Sequence, residues 1–409
     1  MNFKKFNTYN HQEIKVALKV LKTGNLSGYI GEWQKEFYGG KYVKLMEAKY
    51  AKFFKVKYAI SVNSWSTGLI CALGALDLNP GDEVILPTWT MSACASAILH
   101  WNCIPIFADI DKKTFNIDLE SIKKNISSKT KAIMAVDISG LPSNIDEIKK
   151  IAKKNKIKII TDSAQSPFAK YKNKIAGTIG DIGGISLNYH KHIHTGEGGV
   201  IFTNNKLYCE KMKMIRNHGE AVLRKRKNFP EINMIGNNFR MGELEAAISI
   251  VQLNKLKKII HKRIKIANYL TEKLSKIEGL VLPKKYNDNS NVYYTYPIVL
   301  EERKKFNRKK IINLLKKEGL EGFGAGYQNL HLLPTFQKKI AYGRYHFPWV
   351  SPFNKRNISY KKGICPVAEK MHDNLYIGFG ISHFDLSFKN IDFIYSKFKK
   401  IFKRKDIFF

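Results

Sequence analysis

Lys191 is the residue around which chemistry can be arranged in this chain of 409 residues. It stands in Ser186-Leu187-Asn188-Tyr189-His190-Lys191-His192, with Gly196-Glu197-Gly198-Gly199 a few residues on. The apolar run 182–187 precedes it and Val200-Ile201-Phe202-Thr203 follows. Both runs are bounded by glycine, so the pattern predicts two buried strands with Lys191 in the polar turn between them. A lysine fixed in such a place can condense with a carbonyl to form a Schiff base. Residue type alone does not argue for this, because the chain holds 70 Lys and Arg and an ordinary lysine is a solvated one. The case rests on what the other residues supply.

Asp162, in Thr161-Asp162-Ser163-Ala164-Gln165, falls at the carboxyl end of a strand predicted over 157–161. A carboxylate there can pair with a protonated pyridine nitrogen and keep the ring a strong electron sink. Capping the next helical turn is its other reading. Gln165 can reach the phenolic oxygen of the same ring. Asn63-Ser64-Trp65-Ser66-Thr67-Gly68 lies between a predicted strand and a predicted helix. Free N–H groups and the helix dipole suit a phosphate there, and the hydroxyls of Ser66 and Thr67 add donors. Plain N-capping by Ser or Thr is the alternative. Ser186, at a strand end, can donate to that phosphate. Asn238, in Gly236-Asn237-Asn238-Phe239-Arg240-Met241, precedes a helix and is open to the same two readings. A lysine, an aspartate and a phosphate cradle are the parts a pyridoxal phosphate (PLP) site requires. His190, His192, His194 and His218 lack acidic or thiol companions at metal-ligand spacing, so a rim role is expected of them rather than a metal site.

These residues need a scaffold that delivers them to one edge. Helices are predicted at 11–22, 33–54, 66–76, 91–101, 119–125 and 145–155. Strands are predicted at 57–62, 83–86, 104–107, 132–136 and 157–161. Alternation of this kind predicts an α/β fold with a mainly parallel sheet covered on both faces, whose ligands bind at the carboxyl ends of the strands. Two further helices are expected from 241 to about 256 and over about 259–276. After them come a strand at 292–300, a helix at 309–318, an aromatic and glycine-rich loop at 322–336, and a last helix at about 389–403. The expected division is a large domain over 1–255, including an N-terminal arm, and a linker helix with a small α+β domain over 256–409.

Hydrophobic residues make up 44% of the chain, enough for a sizeable core. The five cysteines show no CxxC spacing and read as reduced core thiols in a cytoplasmic protein. No signal-peptide pattern opens the sequence, and no apolar run is long enough to span a bilayer, so no membrane role is expected. The formal net charge of +36 would suit nucleic acid. The lysines are spread along the whole chain rather than gathered in a patch, so no nucleic-acid role is expected. The field they create favours an anionic small substrate.

Taken together, Asp162-Ser163-Ala164-Gln165, the run from Ser186 to Lys191, Gly196-Glu197-Gly198-Gly199 and Asn238-Phe239-Arg240-Met241 resemble the DegT/DnrJ/StrS sugar aminotransferases, PLP enzymes of fold type I. Pro80-Gly81-Asp82-Glu83-Val84 and the segment 24–28 fit as well. The likeness spans nearly the whole chain. It implies that Lys191 carries the Schiff base to the cofactor, that Asp162 meets the pyridinium and that Gln165 meets the phenolic oxygen. Ser66, Thr67 and Ser186 would hold the phosphate. It further implies a homodimer in which Asn238 reaches the phosphate site of the other subunit. The implied reaction moves an amino group from an amino acid, L-glutamate by analogy, to a nucleotide-linked keto-sugar, with Tyr327 and His331 of the 322–336 loop as candidates to touch the sugar. Three departures alter the pocket. The usual Gly-Thr of the phosphate loop reads Trp65-Ser66, the aromatic that stacks on the cofactor is Met91 with Trp89 two residues before it, and Asp137 stands where many relatives have His. One branch of the family replaces the lysine by His and dehydrates sugars, so a PLP-dependent dehydratase is the alternative reaction. Lys191 argues against that branch, although His190 and His192 flank it.

Overall fold

A computed structural model describes residues 3–226, 228–286, 288–354 and 356–408. The chain opens with α1 (His11–Leu21), whose start is a capping box. Asn10 accepts from the Gln12 N–H, and Glu13 accepts from the Asn10 N–H, so two orphan donors are met at once. The single helix expected over 33–54 is broken. A 3-10 turn covers Lys35–Tyr38, and α2 runs from Lys41 to Phe54 (Lys41–Phe54). The break is at Gly39, whose φ of 94° is a left-handed conformation that side chains disfavour. The start of α2 is capped from far away, by the Glu243 carboxylate accepting from the N–H groups of Tyr42 and Val43.

The large layer follows as β1 (Tyr58–Val62), α3 (Trp65–Gly74), β2 (Glu83–Pro87), α4 (Ala93–His100), β3 (Ile104–Ala108), α5 (Leu119–Asn125), β4 (Thr130–Val136), α6 (Ile145–Asn155) and β5 (Lys158–Asp162). A small hairpin, β6 (Lys170–Tyr171) and β7 (Lys174–Ile175), leads into β8 (Ile182–Ser186), β9 (Gly199–Thr203) and α7 (Lys206–Arg216). Neither the hairpin nor α7 is among the elements expected from the sequence. The seven-stranded sheet has the order β1-β9-β8-β5-β4-β2-β3, and within it only β9 runs against the rest. It is mainly parallel and almost continuously apolar, as expected of a sheet covered on both faces. The edge strand β3 is shielded by the segment 330–365, where the Tyr360 hydroxyl donates to the Pro105 carbonyl at 2.7 Å.

The two helices expected between 241 and 276 form one helix, α8 (Glu243–Leu274), of 32 residues. No glycine or proline interrupts it, and each half has its own core to cover. Ala246, Leu253, Leu256 and Ile260 pack with α2 and the large sheet. Ile266, Ala267, Leu270 and Leu274 pack with a second core. That second core lies under an antiparallel sheet of order β10-β11-β13-β12. Its strands are β10 (Leu280–Val281), β11 (Tyr296–Leu300), β12 (Phe323–Gly324) and β13 (Tyr376–Phe379). Helix α9 (Arg308–Lys317), the short helices α10 (Pro334–Gln337) and α11 (Pro366–Lys370), and α12 (Phe388–Phe402) complete the chain.

Candidate PLP site

Asp162 is the last residue of β5, and Gly184 of β8 is its register partner. Lys191 follows β8 in the turn that leads to β9, so adjacent parallel strands deliver the carboxylate and the amine to the carboxyl edge of the sheet. Lys191 is 9% exposed and so buried, unlike an ordinary lysine. Its Nζ lies 4.4 Å from the centre of the Tyr294 ring. Among the described residues no hydrogen bond or ion pair holds that amine. Burial brings its pKa down to about 8, against the opposing pull of Asp162 and Cys94. A buried amine with no acid of its own, beside a carboxylate, is a nucleophile kept partly neutral.

Asp162 is buried and closely held. Its Oδ1 accepts from the Trp65 indole N–H at 2.7 Å and from the Ala164 N–H at 3.0 Å, and its Oδ2 accepts from the Cys94 thiol at 3.2 Å. Burial and the adjacent Asp162 push the Cys94 thiol well up, which keeps it protonated as a donor. Gln165 is positioned at both ends. Its Oε1 accepts from the Ser139 N–H at 2.8 Å, and its Nε2 donates to the Tyr327 hydroxyl at 2.9 Å. Ser139 in turn accepts from the Tyr294 N–H at 2.9 Å. One loop after β4 therefore sets both the glutamine and the ring beneath Lys191.

The mouth of α3 has Ser64 as its cap, with Ser64 Oγ accepting from the Thr67 N–H at 3.1 Å. Thr67 uses its hydroxyl within that turn, toward Asn63 Oδ1 at 2.7 Å and the Ser64 carbonyl at 2.8 Å. Ser66 is exposed. Ser186 is buried at the end of β8 and accepts from the Asn188 N–H at 3.2 Å. Asn238 is exposed on the segment laid along the end of β1, where the Asn63 N–H donates to the Phe239 carbonyl at 3.0 Å. Met91 is 57% exposed, whereas Trp89 is buried against Tyr376 at a ring separation of 5.1 Å.

Asp137 is buried behind Asp162. Ser163 donates its hydroxyl to one carboxylate oxygen, and the Ser143 N–H donates to the other at 2.8 Å. Burial raises Asp137 to about 6. Of the candidates in the 322–336 loop, Tyr327 reaches the site through Gln165. His331 does not face it: fully buried, it bridges Thr88 Oγ1 at 2.7 Å and Glu369 Oε1 at 2.9 Å. His190 lies 6.1 Å, ring to ring, from Tyr294, and buried His192 is bonded to the Val292 carbonyl at 3.0 Å. Cys94 and Tyr294 were not expected as site residues, and Trp65 was expected only as a departure in the phosphate loop, not as a partner of Asp162. Cys94 reads as a core thiol, and all five cysteines are indeed free and buried. No local pattern marks a side chain whose partner is 97 residues away, as with Trp65 and Asp162.

The residues suit PLP. They present a buried amine without an acid partner, a carboxylate with accepting capacity left on Oδ2, a glutamine amide and a helix mouth on one edge. Comparison with known proteins agrees. A family model described as the DegT/DnrJ/EryC1/StrS aminotransferase family matches residues 31–371. The chain is 32% identical to a GDP-perosamine synthase of Caulobacter vibrioides, over 73% of this chain and 79% of that one. It is 33% identical to a GDP-4-keto-6-deoxy-D-mannose 3-dehydratase of Escherichia coli O55:H7, over 70% and 78%. The structure resembles that of an aminotransferase from Psychrobacter cryohalolentis with a TM-score of 0.83 and 26% identity, covering 99% of this chain and 100% of that one.

Proposed function

We propose, for a chain that belongs to the DegT/DnrJ/EryC1/StrS aminotransferase family, that its reaction moves an amino group from L-glutamate to the ketone of a nucleotide-linked sugar. The observation that carries this reading is the Lys191 amine, buried, without an acid partner among the described residues and held in the turn after β8, the strand paired with the one that ends at Asp162. When bound, PLP supplies an aldehyde for amines to condense with and a pyridine ring that draws electrons from the carbon losing its proton.

The chain's own residues do the rest. Lys191 would hold the cofactor through its amine, and when free that amine, lowered to about 8, is suited to taking up the proton lost from the donor's α carbon. Asp162 would accept a hydrogen bond from the protonated ring nitrogen and so keep the ring cationic. Gln165 turns its amide toward the phenolic oxygen, with Tyr327 behind it. The N–H groups at the start of α3, with Ser66, Thr67 and Ser186, would hold the phosphate. Met91, exposed, would offer the ring a flexible thioether instead of an aromatic plane. Asn238, exposed beside the helix mouth, completes the phosphate site of a second subunit in a homodimer. The enzyme works in the cytoplasm, where nucleotide sugars are made. Among the described residues no helix is long and apolar enough to cross a membrane.

Dehydration is the rival, since relatives of both kinds share similar identity with this chain. Lys191 favours amination, because the dehydrating branch carries His in its place, and the neighbouring His192 is turned away to a backbone carbonyl. The test is spectral and analytical. Purified protein with PLP is expected to absorb in the visible and to bleach with glutamate. Lys191→Ala is expected to lose turnover while still binding PLP. With labelled glutamate and a panel of nucleotide keto-sugars, the product is expected to carry the label. A product of unchanged nitrogen content would mean dehydration.

A further inference from the structure

We infer that Trp65 is a cofactor-positioning residue: its indole fixes Asp162 so that Oδ2 is the oxygen presented to the ring nitrogen of PLP. The inference rests on the aminotransferase reading above and adds a residue to it.

Two independent observations carry it. The first is the bond itself. The indole N–H meets Oδ1 at 2.7 Å, and the Ala164 N–H meets the same oxygen at 3.0 Å. Among the described residues Oδ2 receives only the Cys94 thiol, at 3.2 Å, and a thiol is a weak donor. The carboxylate is therefore occupied on one side and still able to accept on the other. The second is that the scaffold is cut to the shape of this ring. A Cβ at Gly184, the register partner of Asp162, would run into the six-membered ring of Trp65, and one at Gly68 would lie 2.8 Å from its Cε3. A Cβ at Gly199 would lie 2.8 Å from the Trp65 backbone nitrogen. Glycine at 184 and 68 leaves room for this ring at the first position of α3, where the family usually has glycine, and glycine at 199 lets β9 approach the backbone there. Trp65 is 5% exposed as a whole residue, and its bond to Asp162 is buried. Its N–H thus has no water to fall back on and keeps the aspartate in one rotamer.

The test is a cycle on the full-length protein stripped of cofactor. Trp65→Phe keeps an aromatic ring in the glycine-lined slot and removes the N–H. PLP is compared with its 1-deaza analogue, in which C–H replaces the ring nitrogen. Trp65→Phe is expected to weaken PLP roughly tenfold or more, the scale of one hydrogen bond to a charged group. The deaza analogue, which offers Asp162 no proton, is expected to keep its affinity within about twofold, an effect too small to count as a lost hydrogen bond. Equal weakening of both ligands would reduce Trp65 to packing and overturn the inference, as would no weakening of either. If Trp65→Phe does not fold, nitrogen-15 spectra of the indole groups decide the matter. Asp162→Asn is expected to move one of the five tryptophan N–H signals upfield, and five unmoved signals would overturn the inference. A wild-type chain that binds neither ligand counts against the aminotransferase reading, while the indole spectra still decide the role of Trp65.

Discussion

Lys191 binds its proton less tightly in the folded chain than an unfolded lysine does, at about 8 against 10.5. The folded state without cofactor is therefore penalised below about pH 8, and the penalty shrinks to nothing as pH rises to the unfolded value. Lys191→Met is expected to stabilise the cofactor-free protein by about 1–3 kcal/mol at pH 7. The advantage should close by about pH 10.5 in urea denaturation followed across pH. An advantage that does not change with pH would mean that the amine is not the source. At this scale much of the site was legible. The positions of Asp162 at the end of β5 and of Lys191 in the turn after β8 were legible, because each follows an apolar run that ends in polar residues. Trp65, Cys94 and Tyr294 were not legible, since each acts on a partner that only the fold brings near. His331 was misread for a related reason, because an aromatic loop looks alike whether it lines a pocket or is held by a buried glutamate.

Elements were legible where one face was apolar over the right length. Helices α5 and α6 begin and end where the pattern placed them. The broken helix near residue 39 shows the limit. A 3.6-residue rhythm runs through the segment, and only the positive φ of Gly39 and the distant cap from Glu243 divide it. The merging of two expected helices into α8 is the opposite error, made because the apolar stripe changes core partway along. A firmer junction ties α7 to α2 and β1. Arg216, fully buried, donates to Glu47 at 2.6 Å and to the Ser61 carbonyl at 3.0 Å. Glu47→Leu leaves that guanidinium without its counter-charge and is expected to cost about 3–5 kcal/mol in chemical denaturation. A loss below about 1 kcal/mol, the scale of an exposed pair, would show that the pair is not buried in solution.

At the scale of the molecule, two cores share one long helix, and a cut at 255/256 falls inside it. Leu330, Phe336, Trp349 and Tyr360 come back to the first core between segments that build the second. Such returns leave no mark in local periodicity. The proposed dimer gives its own test. Lys191→Ala and Asn238→Ala subunits are each expected to be inactive or nearly so. If Asn238 serves the other subunit, every mixed dimer has one site free of both changes. Random re-association should then restore about a quarter of wild-type activity. No recovery on mixing would place Asn238 in its own subunit's site. The most direct test of the central claim is to load the protein with PLP, reduce it with borohydride and map the modified peptide by mass spectrometry. The expected result is one label per chain, on Lys191. A label spread over surface lysines, or fixed on another residue, would contradict it.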